Sequence, residues 1–163
     1  YLNLANAAST GSEFWNNTEP TNSYVTTKGE PHSMGSAGDT IMYLWHSVPG
    51  LQKFGSYTGV NSADGPYLDL GFRPAIIMFK NISSGSTEWV ILDNRRDGYN
   101  GGNNILFPST GDVENATQYG DFLSNGWKFR INSSYVNSTD TFIYAAWAEE
   151  ATFNLYGGQS NAR

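Results

Sequence analysis

The sequence contains no cysteine, and this absence excludes disulfide bonds, thiolate metal ligands and cysteine nucleophiles. Its two histidines, His32 and His46, have no thiolate partners, so neither a zinc site nor another cofactor or metal is expected. Charged residues make up only 15% of the chain, against about 25% in an average domain. The formal net charge of −6 disfavours phosphate-rich partners. No apolar run approaches the roughly 20 residues of a membrane helix, so neither nucleic acid nor a membrane is an expected partner.

Helical periodicity is also missing, because Gly, Pro or clusters of Asn and Ser interrupt every window of about a dozen residues. Short apolar runs between turn residues predict β-strands instead. The predicted strands are Tyr1–Leu4, Tyr24–Thr27, Thr40–Val48, Gln52–Thr58, Tyr67–Leu70, Ala75–Asn81, Glu88–Asp93, Ile105–Pro108, Trp127–Ile131 and Thr141–Ala148. This spacing predicts an all-β fold, an antiparallel, jelly-roll-like β-sandwich with little or no helix. The unbroken runs AIIMFK and WVILD further predict central strands covered on both sides.

Two segments of the chain, about one hundred residues apart, have similar sequences. DTIMYLWHSV, residues 39–48, is similar to DTFIYAAWAEE, residues 140–150. Aligning Trp45 with Trp147 extends the similarity to residues 1–50 against 104–153. We interpret residues 1–50 as the second half of a preceding repeat that packs on the next one, and residues 51–163 as one complete β-sandwich repeat. The alternative is that two central strands of one sandwich have similar compositions.

Three further stretches are informative: YLWHSVPGLQKFGSYTGVNSADGPYLDLGFRPAIIMFKN, WVILDNRRDGYNGGNNILFP, and DFLSNGWKFR followed by TFIYAAWAEE. Together they resemble a module of tail-fibre and other virion proteins of marine tailed phages. The block from Lys53 to Lys80 carries the most specific similarity. The resemblance implies an extracellular, all-β virion component involved in attachment, and it brings no catalytic residues. A fibre also implies self-association, with a trimer as the natural form, and contact with other virion proteins.

The segment Leu92–Asn104, LDNRRDGYNGGNN, is the most polar and turn-rich part of the chain. Binding residues often lie in such loops at the end of a sandwich. The candidate binding residues here are Asp93, Arg95, Arg96, Asp97, Tyr99, Asn100 and Asn103. They offer the aromatic ring, amides and carboxylates that a sugar site needs. An EF-hand is disfavoured because Arg95 occupies an alternating ligand position. The alternative is a structural loop stapled by ion pairs between Asp93 and Arg95 or Arg96.

A second candidate loop is VNSADGPYLD, residues 60–69, in which Asp64 and Tyr67 are the candidate binding residues. A carbohydrate or cation loop would use Asp64 with Asp69, whereas the alternative is a tight turn at Asp64-Gly65. Three further aromatic residues are either stacking platforms or half-buried packing residues: Tyr119, Trp127 and Tyr135.

These observations predict a virion module that binds a host-surface glycan or protein. One alternative is a glycan depolymerase that uses Asp93, Asp97 or Glu149, since paired carboxylates within about 5 to 9 Å hydrolyse glycosidic bonds. Another is a purely structural component of a capsid or filament. The sequence alone leaves all three open.

Overall fold

The computed structural model describes residues 16–21, 23–27, 43–97, 100 and 104–149. The described residues form seven strands and no helix. They therefore contain no helix long and apolar enough to cross a membrane. The strands are β1 (Gln52–Thr58), β2 (Tyr67–Asp69), β3 (Pro74–Asn81), β4 (Val90–Asp93), β5 (Gly120–Leu123), β6 (Gly126–Phe129) and β7 (Thr141–Ala148). The predicted all-β class is confirmed.

The strands form two antiparallel sheets that pack as a sandwich. One sheet has four strands in the order β1-β7-β3-β4, and the other has three in the order β2-β6-β5. Aromatic rings join the two sheets across the core. Phe79 in β3 lies with its ring centroid 5.1 Å from that of Phe129 in β6, and Tyr57 in β1 lies 5.0 Å from the same ring. Trp127 of β6 is fully buried beside them.

The two sheets share a single core, and along each strand the side chains alternate between that core and the outward face. In β3, Ile77 and Phe79 are buried, whereas Ile76 on the other face is 42% exposed. The prediction that AIIMFK is covered on both sides is therefore wrong at Ile76, although Lys80 on the same outward face is only 3% exposed. In WVILD, Val90 and Leu92 are buried and Ile91 is half-buried. The outward face of the four-stranded sheet nevertheless carries a row of apolar side chains: Phe54, Ile76, Met78, Ile143, Ala145 and Trp147.

The predicted strands β1 and β7 have the bounds that the structure gives them, and β2, β3, β4 and β6 differ by one to two residues at one or both ends. Strand β5 is an addition that the sequence did not predict. Residues 24–27 and 43–47 form no strand, and Ile105 and Leu106 make only isolated bridges. The predicted strand Tyr1–Leu4 lies outside the described residues, as do residues 40–42.

Contacts between residues divide the chain into two units. One unit is Ala8–Trp45, and the other comprises Tyr1–Ala7 and His46–Arg163. Within the described part of the first unit, Thr21 caps a turn by accepting from the backbone N–H of Tyr24, and the rings of Tyr43 and Trp45 stack. All seven strands belong to the second unit. The division falls near residue 50, where the repeat hypothesis places a boundary, but it does not test whether the units are repeats.

Candidate functional site

Tyr67 lies on the outward face of the three-stranded sheet. Its neighbour Leu68 points into the core, so the alternation of β2 turns Tyr67 outward, where it remains 41% exposed. A Cβ atom on Gly126 would lie 2.9 Å from Cε2 of Tyr67, and the phenol donates a 3.3 Å hydrogen bond to the carbonyl of Asn125. The ring therefore leans across the sheet over Gly126, which leaves room for it by having no side chain.

Two ion pairs lie on the same outward face of this sheet. Lys128, directly opposite Tyr67 on β6, has its Nζ 2.7 Å from Oδ1 of Asp64 and also donates to the carbonyl of Gly65. Asp121, which faces Lys128 from β5, accepts from Nε of Arg130 at 2.6 Å. The hydrogen bond and positive charge of Lys128 hold the pKa of Asp64 below its usual value, so Asp64 is ionised at neutral pH.

Desolvation, with the negative charge of Asp69, raises the pKa of Tyr67. The phenol therefore stays neutral at physiological pH and keeps its proton for the bond to Asn125. Together, Tyr67, Asp64, Lys128, Asp121 and Arg130 form a surface that we call the Tyr67 face. It combines an aromatic ring with charged donors and acceptors.

A buried amide holds the loop that carries Asp64. Asn137 is fully buried, accepts from the backbone N–H of Val60 at 2.8 Å, and donates to the carbonyls of Ser62 and Ile131 at 2.8 and 2.7 Å. A Cβ atom on Gly65 would lie 2.6 Å from Nδ2 of Asn137, so the loop fits closely against this amide. Asp64 is thus presented by a loop with a fixed backbone.

The first part of the polar segment 92–104 is stapled by Asp93. Its Oδ1 accepts from the backbone N–H groups of Arg95 and Arg96, and its Oδ2 accepts from Nε of Arg96 at 2.6 Å. Arg96 also binds Glu114 at 2.9 Å. Burial alone would raise the pKa of Asp93, but the hydrogen bonds from Arg95 and Arg96 and the charge of Arg96 lower it. This part of the segment therefore has the contacts of a structural loop held by Asp93, which is the alternative to a binding loop.

The rest of the segment is tied down in a similar way. Asp97 accepts from the backbone and side-chain nitrogens of Asn104, which closes the loop. Asn100 donates to the carbonyl of Phe122 and accepts from its N–H, both at 3.0 Å, and so extends the hydrogen bonding of β5. Tyr99 and Asn103 lie outside the described residues.

The side chain of Arg95 is 79% exposed, and it binds Glu149 at 2.6 Å. Glu149 also accepts from Arg73 at 3.0 Å, and Arg73 in turn donates to the carbonyl of Phe122. These contacts link the ends of β3, β5 and β7. No group of three or more metal-ligating side chains occurs in the part of the chain that the structure describes.

The structure thus separates the predicted residues into two sets. Asp64 and Tyr67 belong to one exposed face. In contrast, Asp93 and Asp97 bind within their own segment, Asn100 binds β5, and Arg96 binds Asp93 and Glu114. Of the three further aromatic residues, Tyr119 and Trp127 are at most 3% exposed, and Tyr135 packs on Phe107 with centroids 5.3 Å apart. Their interpretation as packing residues is confirmed.

Sequence reasoning missed four contributors to the Tyr67 face: Lys128, Gly126, Asp121 and Arg130. One signal was available for Lys128, because the alternating stretch KFRIN predicts a strand with one solvent-facing side. Its pairing with Asp64 joins residues more than sixty positions apart, so no local pattern indicates it.

The sequence model of the family described as "Domain of unknown function (DUF7483)" matches residues 1–151. The chain belongs to this family. No curated protein and no solved structure is similar enough to match it. All seven strands of this DUF7483 chain, and both candidate loops, lie within the matched residues.

Proposed function

We propose that the chain is an adhesive module of a virion projection, such as a tail fibre, and that it binds a host-surface glycan or protein outside the cell. The observation that carries this proposal is the ring of Tyr67, 41% exposed on a sheet face that also carries two ion pairs. Aromatic rings beside fixed polar groups are the usual anchors of recognition sites. The resemblance of residues 53–80 to phage virion modules supports the biological setting.

Recognition would rest on contact with the Tyr67 ring and hydrogen bonds to Asp64 and Arg130. A single such face buries little area, so binding is weak per copy and gains strength when several copies engage together. We therefore propose a homo-oligomer, with a trimer as the form suited to a fibre, attached to other virion proteins.

The depolymerase alternative is less well supported. Its candidate carboxylates are occupied: Asp93 by Arg96, Asp97 by Asn104, and Glu149 by two arginines. A general acid needs a raised pKa, and the pKa of Asp93 is lowered. The assay is direct, because a depolymerase releases new reducing ends from a polysaccharide and a binding module releases none.

A purely structural role has one observation in its favour, the apolar outward face of the four-stranded sheet. Phe54 and Trp147 meet there edge to face at 5.7 Å, beside the exposed Ile76. Such a face suits contact with a neighbouring subunit. If Ile76→Lys lowers the oligomeric state measured by light scattering while Tyr67→Ala leaves cell binding unchanged, the structural role replaces the adhesive one.

The adhesive proposal is tested with fluorescently labelled protein on whole cells of a panel of bacteria. For any strain that binds, we expect Tyr67→Ala to weaken binding at least about tenfold. Tyr67→Phe, which loses only the bond to Asn125, should retain binding within about threefold. Val113→Ala is the matched control, because Val113 is an apolar residue 86% exposed in the loop before β5. Equal binding by all variants, or binding to no strain, overturns the proposal.

A further inference from the structure

The charges of the Tyr67 face indicate the chemical class of its ligand, an inference that rests on the proposed function. Lys128 and Arg130, the two cations of this face, each have a carboxylate partner, at 2.7 Å in Asp64 and at 2.6 Å in Asp121. The whole chain carries a net charge of −6. An acidic polysaccharide would therefore meet no uncompensated positive charge on this face and would be repelled by the protein as a whole.

The same ion pairs leave hydrogen-bonding capacity toward solvent. The side chain of Asp64 is 84% exposed, so its carboxylate can accept from two neighbouring hydroxyl groups while bound to Lys128. The side chain of Arg130 is 45% exposed, and only its Nε is used by Asp121. Its terminal N–H groups can donate to hydroxyl oxygens.

The Tyr67 ring supplies the apolar part of the contact. It leans over Gly126 with its phenol bound to Asn125, so its position is fixed before a ligand arrives. A pyranose ring has apolar C–H faces and polar hydroxyl edges, so a chain of such rings matches a face that carries an aromatic ring together with carboxylate and guanidinium groups.

We propose that the Tyr67 face binds neutral hexopyranose units of a polysaccharide, with one sugar ring stacked on Tyr67 and the hydroxyl groups of neighbouring units along the polymer hydrogen-bonded to Asp64 and Arg130. Selectivity for neutral over acidic polysaccharides comes from Asp64, because this carboxylate neutralises Lys128 and adds its own repulsion to carboxyl or sulfate groups.

The first test is affinity electrophoresis of the native protein in gels that contain a neutral polysaccharide (dextran, mannan or laminarin) or an acidic one (alginate or polygalacturonate). We expect retardation by at least one neutral polymer and by neither acidic polymer. Retardation should disappear in Tyr67→Ala and persist in the control Val113→Ala. In calorimetric titrations with the neutral polymer, raising the ionic strength from about 0.05 to about 0.5 M should change the Kd less than about threefold.

A second test uses Asp64→Ala, which removes the partner of Lys128 at a fully exposed position. This variant should bind the neutral polymer at least about fivefold more weakly and should gain salt-sensitive retardation in alginate. If no acidic binding is gained, the pairing of Lys128 does not set the selectivity and the charge argument fails.

The outcomes separate this inference from the proposed function. Binding that depends on Tyr67 but is confined to acidic polymers, or to a protein receptor on cells, overturns the inference and leaves the adhesive function in place. Absence of any binding that depends on Tyr67, to polysaccharides and to cells alike, overturns both.

Discussion

The backbone N–H of Val60 donates to the side-chain oxygen of Asn137 across 77 positions of the sequence. With its two donated bonds to Ser62 and Ile131, the same side chain satisfies three backbone groups of two loops. The side chain is fully buried, so its oxygen and nitrogen are satisfied by these backbone groups and not by solvent. Asn137 is therefore the polar connection between the loop of Asp64 and the segment that precedes β7.

Replacing this amide should be costly. We expect Asn137→Ala to lower the free energy of unfolding by roughly 3 kcal/mol, because three backbone groups lose their partner and a fully buried side chain is removed. Urea denaturation followed by tryptophan fluorescence measures the loss. Asn132→Ala is the control, since Asn132 is exposed five residues earlier and its change should stay within about 0.5 kcal/mol. Similar losses for the two variants would show that the Asn137 bonds do not stabilise the fold.

Gly126 should not tolerate a side chain. A Cβ atom there would lie 2.0 Å from the carbonyl oxygen of Leu68 and 2.9 Å from the ring of Tyr67. We expect Gly126→Ala to destabilise the domain by about 3 kcal/mol or more, because the β2–β6 pairing must separate to relieve the clash. Gly111→Ala is the matched control, as an added Cβ meets nothing within 4 Å. Equal thermal midpoints for the two variants would contradict the packing described for the Tyr67 face.

Asp93 should make the free energy of unfolding depend on pH in the acidic range. Its pKa in the folded protein is lowered, so its contribution is present above the unfolded pKa of about 3.9 and is lost as the pH falls through the folded pKa. We expect Asp93→Asn to cost about 1 kcal/mol at pH 6. The difference from the parent protein should shrink below about pH 4. Urea titrations at several pH values measure this difference in unfolding free energy. A difference that grows as the pH falls would contradict the prediction.

The shared aromatic core should dominate stability. Phe79 is fully buried between the sheets and contacts Phe129 and Trp127. Phe79→Ala should cost about 3–5 kcal/mol through lost burial and the cavity left behind. Val113→Ala, at an exposed position, should stay within about 0.5 kcal/mol. Chemical denaturation of both variants measures the two losses of unfolding free energy. A loss at Phe79 as small as that at Val113 would show that Phe79 is not part of the stabilising core.

Strands β1 and β7 were predictable to the residue because both are rich in strand-forming side chains and end at turn residues. Strand β5 was not, since Gly120-Asp121 has the composition of a turn and becomes a strand only through pairing with β6 across a two-residue turn at Ser124-Asn125. Residues 43–47 show the opposite case. Their aromatic and apolar side chains have strand propensity, but the described chain forms no ladder there.

The residues of the candidate site likewise include some that local sequence could identify and others that it could not. Asp64 and Tyr67 were identified because turn residues and an aromatic side chain lie close together in sequence. Lys128 and Arg130 were not identified, because the bonds that bring them to this face are long-range. The polar segment after Leu92 was overestimated as a binding loop, since composition alone does not show that Asp93 and Asp97 bind their own neighbours.

Two fully buried amides, Asn137 and Asn81, each begin an Asn-x-Ser/Thr sequence that oligosaccharyltransferases modify. Their amide nitrogens, the atoms that would receive a glycan, donate hydrogen bonds inside the fold, as in the 2.8 Å bond from Asn81 to Asp140. A glycan added to either chain position during synthesis would hold that nitrogen outside and prevent the domain from closing. The fold is therefore incompatible with passage through a secretory pathway that glycosylates these sites, and production in bacteria is the route that preserves it.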